Sequence, residues 1–296
     1  MPALSEVVVA KARAAGADDW LDELDGIVST LSERWSLDVG ATFDGATEAY
    51  VAAATTRDGE QCVLKVLVPR GDGAARNEAT ALRLADGEGC PRLLRCDLDA
   101  GALLIERLGP SLHELGLPIE QRHEILCDAA SRVWRRVERS GLPTGTDKAH
   151  WLIEWISSGY ESLGRPCAPR TVAHAVACAK RRAAAHDEAT AVLVHGDVHQ
   201  WNALRAPRGF KLVDPDGLVA DPAYDLGVLM REDPLELLES GPMARAEMLA
   251  ERTGCDVTAI WEWGVVERVS TGLVCTQVGL QPLGREMLGA ADALSA

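Results

Sequence analysis

The sequence predicts an α+β chain of two lobes, a small antiparallel β-sheet lobe followed by a larger, mainly helical one. Three observations predict it. Between residues 37 and 108 apolar residues come in short runs separated by Gly/Asp turns, the pattern of half-buried strands. After Gly109-Pro110, itself a boundary signal, the apolar period lengthens to that of helices. Near residue 195 short apolar runs return, and each ends in a polar turn. A chain of 296 residues is long enough for two such lobes. The expected organisation is an N-terminal helical segment over 1–36, a first lobe over 37–108 and a second over 109–296.

The opening segment is acidic and helical. Asp18 or Asp19 is placed to cap a run whose apolar positions are Trp20, Leu21, Leu24, Ile27, Val28 and Leu31, close to helical spacing. From Leu37 the period changes. Val39–Phe43, Ala49–Thr55 and Gln61–Val68 read as strands, with Asp58-Gly59 as a hairpin turn. The turn from Gly40 to Glu48 is either an ordinary hairpin or a backbone N–H cradle for phosphates. Lys65 is the only charge in the apolar run Cys62–Val68, and Glu78 follows in the helical run Ala74–Leu84. That lysine lies either on a solvated edge or against an acid, and Glu78 either faces solvent or is that acid. Leu93–Cys96 and Ala102–Ile105 read as further strands, and Glu106 to Leu108 leads out of the first lobe. Ile119–Glu138, Lys148–Ser162 and Val172–His186 then carry the periodic apolar positions of packed helices.

The chemistry gathers in the short-strand region. Val192-Leu193-Val194 runs into a turn at Gly196 that presents Asp197, and Asn202 follows. A second short strand, Phe210–Val213, delivers Asp214 into the turn Pro215-Asp216-Gly217. Either aspartate alone is commonly a turn cap. Together, an aspartate, an asparagine and a strand-terminal aspartate suit phosphoryl transfer from a magnesium-bound nucleotide to a hydroxyl. Asp197 would orient or accept the acceptor proton. Asn202 and Asp214 would offer hard oxygens, and two protein ligands suffice for an ion that keeps several waters and binds phosphate oxygens. His195 and His199 stand four apart, but Gly196 argues against a helix there, so a zinc pair is not expected. Farther on, Asp225 is placed to cap a helix or to hold the catalytic turn.

Composition narrows the partners. A formal net charge of −15 disfavours nucleic acid, whose phosphates would be repelled, and is compatible with a cationic substrate. No apolar run is long enough for a membrane span. The eight cysteines include no C-x-x-C pair, and Glu6 and Lys11 interrupt the early apolar run, so a cytoplasmic protein with reduced thiols is expected. Candidate substrate contacts are Asp216, the acids of Met230-Arg231-Glu232-Asp233-Pro234, and Glu262, Trp263 and Glu267 of the run 261–268. Such acids and aromatic faces bind guanidinium or ammonium; the same residues equally serve as helix caps and core. Oligomeric state has no signal in the sequence.

The runs 195–202, Val213-Asp214-Pro215-Asp216 and Asp221-Pro222-Ala223-Tyr224-Asp225-Leu226 resemble those of the aminoglycoside phosphotransferases. The segments 230–234 and 261–272 look like the branch of streptomycin 6-kinases grouped with hydroxyurea resistance kinases. The resemblance runs from about residue 20 to the C-terminus. It implies a protein-kinase-like fold and ATP- and Mg²⁺-dependent phosphorylation of an antibiotic hydroxyl, streptomycin first, with hydroxyurea, an amino alcohol or a sugar as alternatives. A binding module without activity on the same scaffold is the remaining reading. By matching positions Asp197 is the catalytic aspartate, Asn202 and Asp214 are the metal ligands, and Lys65 with Glu78 positions the phosphates. The backbone around Glu106 to Leu108 would meet the adenine. Gly196 stands where protein kinases carry an arginine that meets a phosphorylated loop, so activity without that switch is expected.

Overall fold

The structure, a computed structural model, describes residues 4–71 and 73–295. Residues 1–3 of the expected N-terminal segment, residue 72 of the expected first lobe and residue 296 lie outside the described residues. The chain divides into two compact units, Met1–Gly109 and Pro110–Ala296.

The first unit is built on a five-stranded sheet of β1 (Leu37–Thr42), β2 (Ala49–Thr56), β3 (Gln61–Leu67), β4 (Leu93–Asp97) and β5 (Ala102–Glu106), in the order β1-β2-β3-β5-β4. Every neighbouring pair is antiparallel. The opening helical segment is two helices, α1 (Glu6–Ala14) and α2 (Asp18–Trp35). They are not a separate layer: Val8, Ala12, Trp20, Leu24, Leu31 and Trp35 share one core with Tyr50, Ala52, Cys62, Leu64, Val66 and Leu104. Strand side chains alternate in direction. Because Cys62, Leu64 and Val66 of β3 point to the α1–α2 core, Lys65 must point to the other face. There α3 (Ala74–Ala85) buries the stripe Glu78, Ala81, Leu82 and Ala85, at helical spacing. The period-two strand and the 3.6-period helix thus bring a lysine and a glutamate together out of water.

The second unit is mainly helical. Its long helices are α4 (Ile119–Val133), α5 (Gly145–Ser162), α6 (Pro169–Ala184), α9 (Pro242–Thr253), α10 (Val257–Gln277) and α11 (Leu283–Leu294), with the short α7 (Ala223–Leu229) and α8 (Pro234–Ser240) between. Thr144 and Asp147 form a reciprocal capping box that starts α5 three residues before the expected Lys148. Helix α4 stops at Val133, short of the expected Glu138, where the chain at Trp134 turns extended. Four short strands form two antiparallel pairs: β6 (Val192–Val194) with β9 (Leu218–Ala220), and β7 (Ala203–Arg205) with β8 (Phe210–Leu212). Among the described residues no helix is long and apolar enough to cross a membrane.

Helix α10 is the axis of this unit. It is buried on nearly every side, including Ile260, Trp263, Val265, Val266, Val269 and Leu273. Such a helix has to sit at the centre of its fold. It meets α7 at a glycine crossing: a Cβ on Gly227 would lie 2.3 Å from Trp263 Cβ, and one on Gly264 2.5 Å from Met230 Cβ. Neither position has room for a side chain. Gly227→Ala is therefore expected to overpack the crossing and cost about 1–3 kcal/mol, read as a fall in Tm. An unchanged Tm would mean that the crossing yields without loss.

Candidate active site

The turn that carries Asp197 is made by β6 ending at Val194 and by a reversal at Gly196, whose φ is +94°. A Cβ there would lie 2.8 Å from Asp216 Cβ, so only glycine fits. Beneath the turn sits Asp225 of α7, fully buried. Its carboxylate accepts the backbone N–H of His195 (3.0 Å), that of Gly196 (2.7 Å) and the indole N–H of Trp134 (2.8 Å). Burial pushes the Asp225 carboxyl up, and the His195 ring and these donors oppose the rise. His195, also buried, has Nδ1 3.2 Å from the Asp197 N–H and Nε2 2.9 Å from Val213 O. It ties the turn to the end of β8.

Asp197, carried by that turn, is ringed by donors. His199 Nε2 lies 3.1 Å from Oδ2, Asn202 Nδ2 donates to Oδ2 at 3.1 Å and to the Asp197 carbonyl at 3.1 Å, and Arg231 Nη2 donates to Oδ1 at 2.5 Å. Burial alone would raise this carboxyl, but His199 and Arg231 outweigh it and hold it well below the usual carboxylate range. A carboxylate so stabilised is a weak base and a firm hydrogen-bond acceptor. Such a group is suited to orienting a hydroxyl rather than to taking its proton.

The Asn202 carbonyl accepts from the Val213 N–H at 2.9 Å, which brings the residue before Asp214 to Asn202. Asp214 takes a left-handed φ of +61°, a conformation aspartate tolerates better than most residues. With Nδ2 given to Asp197, the Asn202 amide still has its oxygen to offer a cation. An amide oxygen and a carboxylate suit magnesium, which needs hard oxygens and few protein ligands. Among the described residues no three His, Cys, Asp or Glu side chains group as a fuller metal cage.

In the first unit Lys65 Nζ contacts both carboxylate oxygens of Glu78 at 2.7 Å, and both side chains are buried. Glu106 ends β5; its carboxylate accepts the Arg92 N–H at 3.0 Å. Leu108 is partly buried, next to the unit boundary.

The acids expected to meet a cationic substrate lie differently. Glu262, 5% exposed, is ion-paired to Arg181 and to Arg182 at 2.5 Å. Trp263, 2% exposed, packs edge-on against Tyr224 at 4.8 Å. Both are buried in the packing around α10. Glu267 is buried between the Tyr224 hydroxyl (2.5 Å) and Arg231 Nη1 (3.2 Å). Asp216 pairs with Lys148 at 2.9 Å, Asp233 with Arg122 at 2.9 Å, and Glu232 lies 4.0 Å from Arg231 Nε. Each of these acids has a cation of the same unit beside it. The sequence gives no sign of Arg231 at Asp197 or of Trp134 under the turn, because those contacts join residues 34 and 91 positions apart.

Residues 34–279 match the family described as aminoglycoside/hydroxyurea antibiotic resistance kinase. The chain belongs to that family. Relatives within or near this kinase family include a hydroxyurea phosphotransferase of Kitasatospora aureofaciens, 32% identical over 75% of this chain and 66% of its own length. The match thus spans just under two thirds of that relative. A streptomycin 6-kinase of Streptomyces griseus is 25% identical over 93% of this chain and 91% of its own. Among solved structures, a thermostable aminoglycoside phosphotransferase APH(4)-Ia in ternary complex with ADP and hygromycin B aligns with a TM-score of 0.64 at 16% identity, covering 90% of this chain and 97% of that one. The choline kinase LicA of Streptococcus pneumoniae aligns with a TM-score of 0.58 at 18% identity, over 91% and 97%. These likenesses give the chain the protein-kinase-like fold.

The Asp225 carboxylate is expected to be the keystone of the turn. Asp225→Asn leaves one acceptor oxygen for three donors. It should cost about 1–3 kcal/mol of stability and speed hydrogen exchange at the His195 and Gly196 amides. Unaltered exchange there would remove Asp225 from this role.

Proposed function

We propose that this kinase-family chain transfers the γ-phosphoryl group of Mg²⁺-ATP to a hydroxyl of a small-molecule antibiotic and so inactivates it. The observation that carries the reading is the backbone link of Asn202 to Val213, which sets an amide and the Asp214 carboxylate beside the Asp197 loop. Lys65, held by Glu78, would contact the phosphates, and the backbone from Glu106 to Leu108 would meet the adenine. Asn202 Oδ1 and the Asp214 carboxylate would hold the magnesium ion, which when bound neutralises charge on the phosphates. Asp197 orients the acceptor hydroxyl toward the phosphoryl group. Such a reaction needs a cell interior with ATP, in line with a cytoplasmic setting.

The relatives' names put forward two acceptors, streptomycin and hydroxyurea. The sequence favoured streptomycin because its guanidinium groups would suit free acids. The ion pairs of Asp216, Asp233, Glu262 and Glu267 leave that argument without its free carboxylates, and so support the small neutral acceptor better. The deciding assay gives the protein ATP with each compound and identifies the phosphorylated product by mass. Phosphorylation of neither would overturn the reading.

Two variants test the roles. Asp197→Asn should abolish transfer with ATP affinity retained, and full activity would remove Asp197 from the reaction. Lys65→Ala should weaken nucleotide binding, and normal affinity and turnover would return it to a purely structural place. Chelation of divalent cations should stop transfer reversibly; transfer that persists in excess chelator would exclude Asn202 and Asp214 as ligands.

A further inference from the structure

The segment Met230–Asp233, between α7 and α8, is held with unusual thoroughness. Arg268 Nη2 donates to Met230 O at 2.6 Å, Arg245 Nη1 to Glu232 O at 2.6 Å, and Arg122 Nη2 to the Asp233 carboxylate at 2.9 Å. Arg245 and Arg268 are 5% and 1% exposed. Asp233 is bent into the left-handed region, with φ +49°. Burying guanidinium groups is costly, and apolar packing would hold a simple connection at less expense. The residue this scaffold presents is Arg231, which reaches Asp197 through Nη2.

Arg231 is itself fixed from behind. Nη1 donates to Glu267 Oε2 at 3.2 Å and to Thr271 Oγ1 at 3.1 Å, and the far oxygen of Glu267 accepts the Tyr224 hydroxyl at 2.5 Å. A chain of contacts thus runs from Tyr224 through Glu267 and Arg231 to Asp197. Asp197 Oδ1 is occupied by the Arg231 guanidinium, while Oδ2 is shared by the His199 ring and the Asn202 amide.

We propose that Arg231 is a positioning residue: it locks the Asp197 carboxylate in one orientation. The inference rests on the reading of Asp197 as the group that orients the acceptor. One physical consequence follows. A carboxylate free to rotate would present its oxygens to the hydroxyl only part of the time, which lowers kcat and leaves nucleotide binding alone.

The test compares Arg231→Met and Arg231→Lys with the unaltered protein, using ATP with hydroxyurea as neutral acceptor and streptomycin as guanidinium-bearing acceptor. Arg231→Met should lose about 100-fold in kcat while the KM for ATP stays unchanged. Arg231→Lys, which keeps the charge but not the fork, should recover part of the loss. Unchanged kcat in Arg231→Met overturns the positioning role, as does an equal loss of kcat and ATP affinity in both variants. Where only one compound is turned over, that compound serves as acceptor for every variant. If neither compound is phosphorylated, the proposed function fails, and basal ATP hydrolysis with water as acceptor decides the positioning role alone. Asp197→Asn, run alongside, shows whether Asp197 is required at all, so that failure of the underlying reading is told apart from failure of the role given to Arg231.

Discussion

One buried carboxylate fixes the geometry on which the second unit's chemistry depends. Asp225 has no access to water, and an ionised carboxylate in that place is tolerable only when it is fully hydrogen-bonded. Its donors are two consecutive backbone N–H groups of the turn that carries Asp197 and the indole of Trp134. The need to satisfy the charge and the need to hold the turn are therefore met by the same hydrogen bonds. Loosening the turn would strand Asp225 without partners, so the turn is held by the penalty of exposing that defect. His195 extends the constraint to Val213, and Asn202 completes the circuit through its own carbonyl.

This arrangement separates two tasks that one aspartate alone would have to combine. Asp225 carries the mechanical load, and Asp197 remains partly open to solvent, with side-chain exposure of 33%. The first is an anchor whose burial raises its proton affinity; the second is surrounded by cations that lower it. Identical side chains acquire opposite electrostatic characters from their surroundings alone.

What the sequence discloses follows the range of the interactions. The strands from Leu37 to Glu106 were legible because alternation is a local property, and their observed ends lie within two residues of expectation. Lys65 stood out as a lone charge in an apolar strand, and Glu78 lies only a short helix away, so the two could be paired on paper. Asp197, Asn202 and Asp214 sit on neighbouring turns of one motif, which made them visible as a set. The acids farther on were harder. Glu262 meets Arg181 across 81 positions and Glu267 meets Tyr224 across 43, and nothing local says which cation or hydroxyl a given acid will find. Trp263 illustrates the same limit: an aromatic residue among acids reads alike whether it lines a pocket or fills a core. The start of α2 was legible at Asp18-Asp19, but neither aspartate caps it: the cap position is Ala17, with no side-chain hydrogen bond, and the two acids lie in the first turn.

The glycine crossing of α7 and α10 bears on how such a protein can change over generations. With Gly227 against Trp263 and Gly264 against Met230, these helices lie too close for a side chain at either glycine. The shape of the scaffold around the Asp197 loop is thereby frozen. New chemical preferences would have to arise by exchanging individual groups at the rim, because the frame itself has no intermediate sizes to drift through.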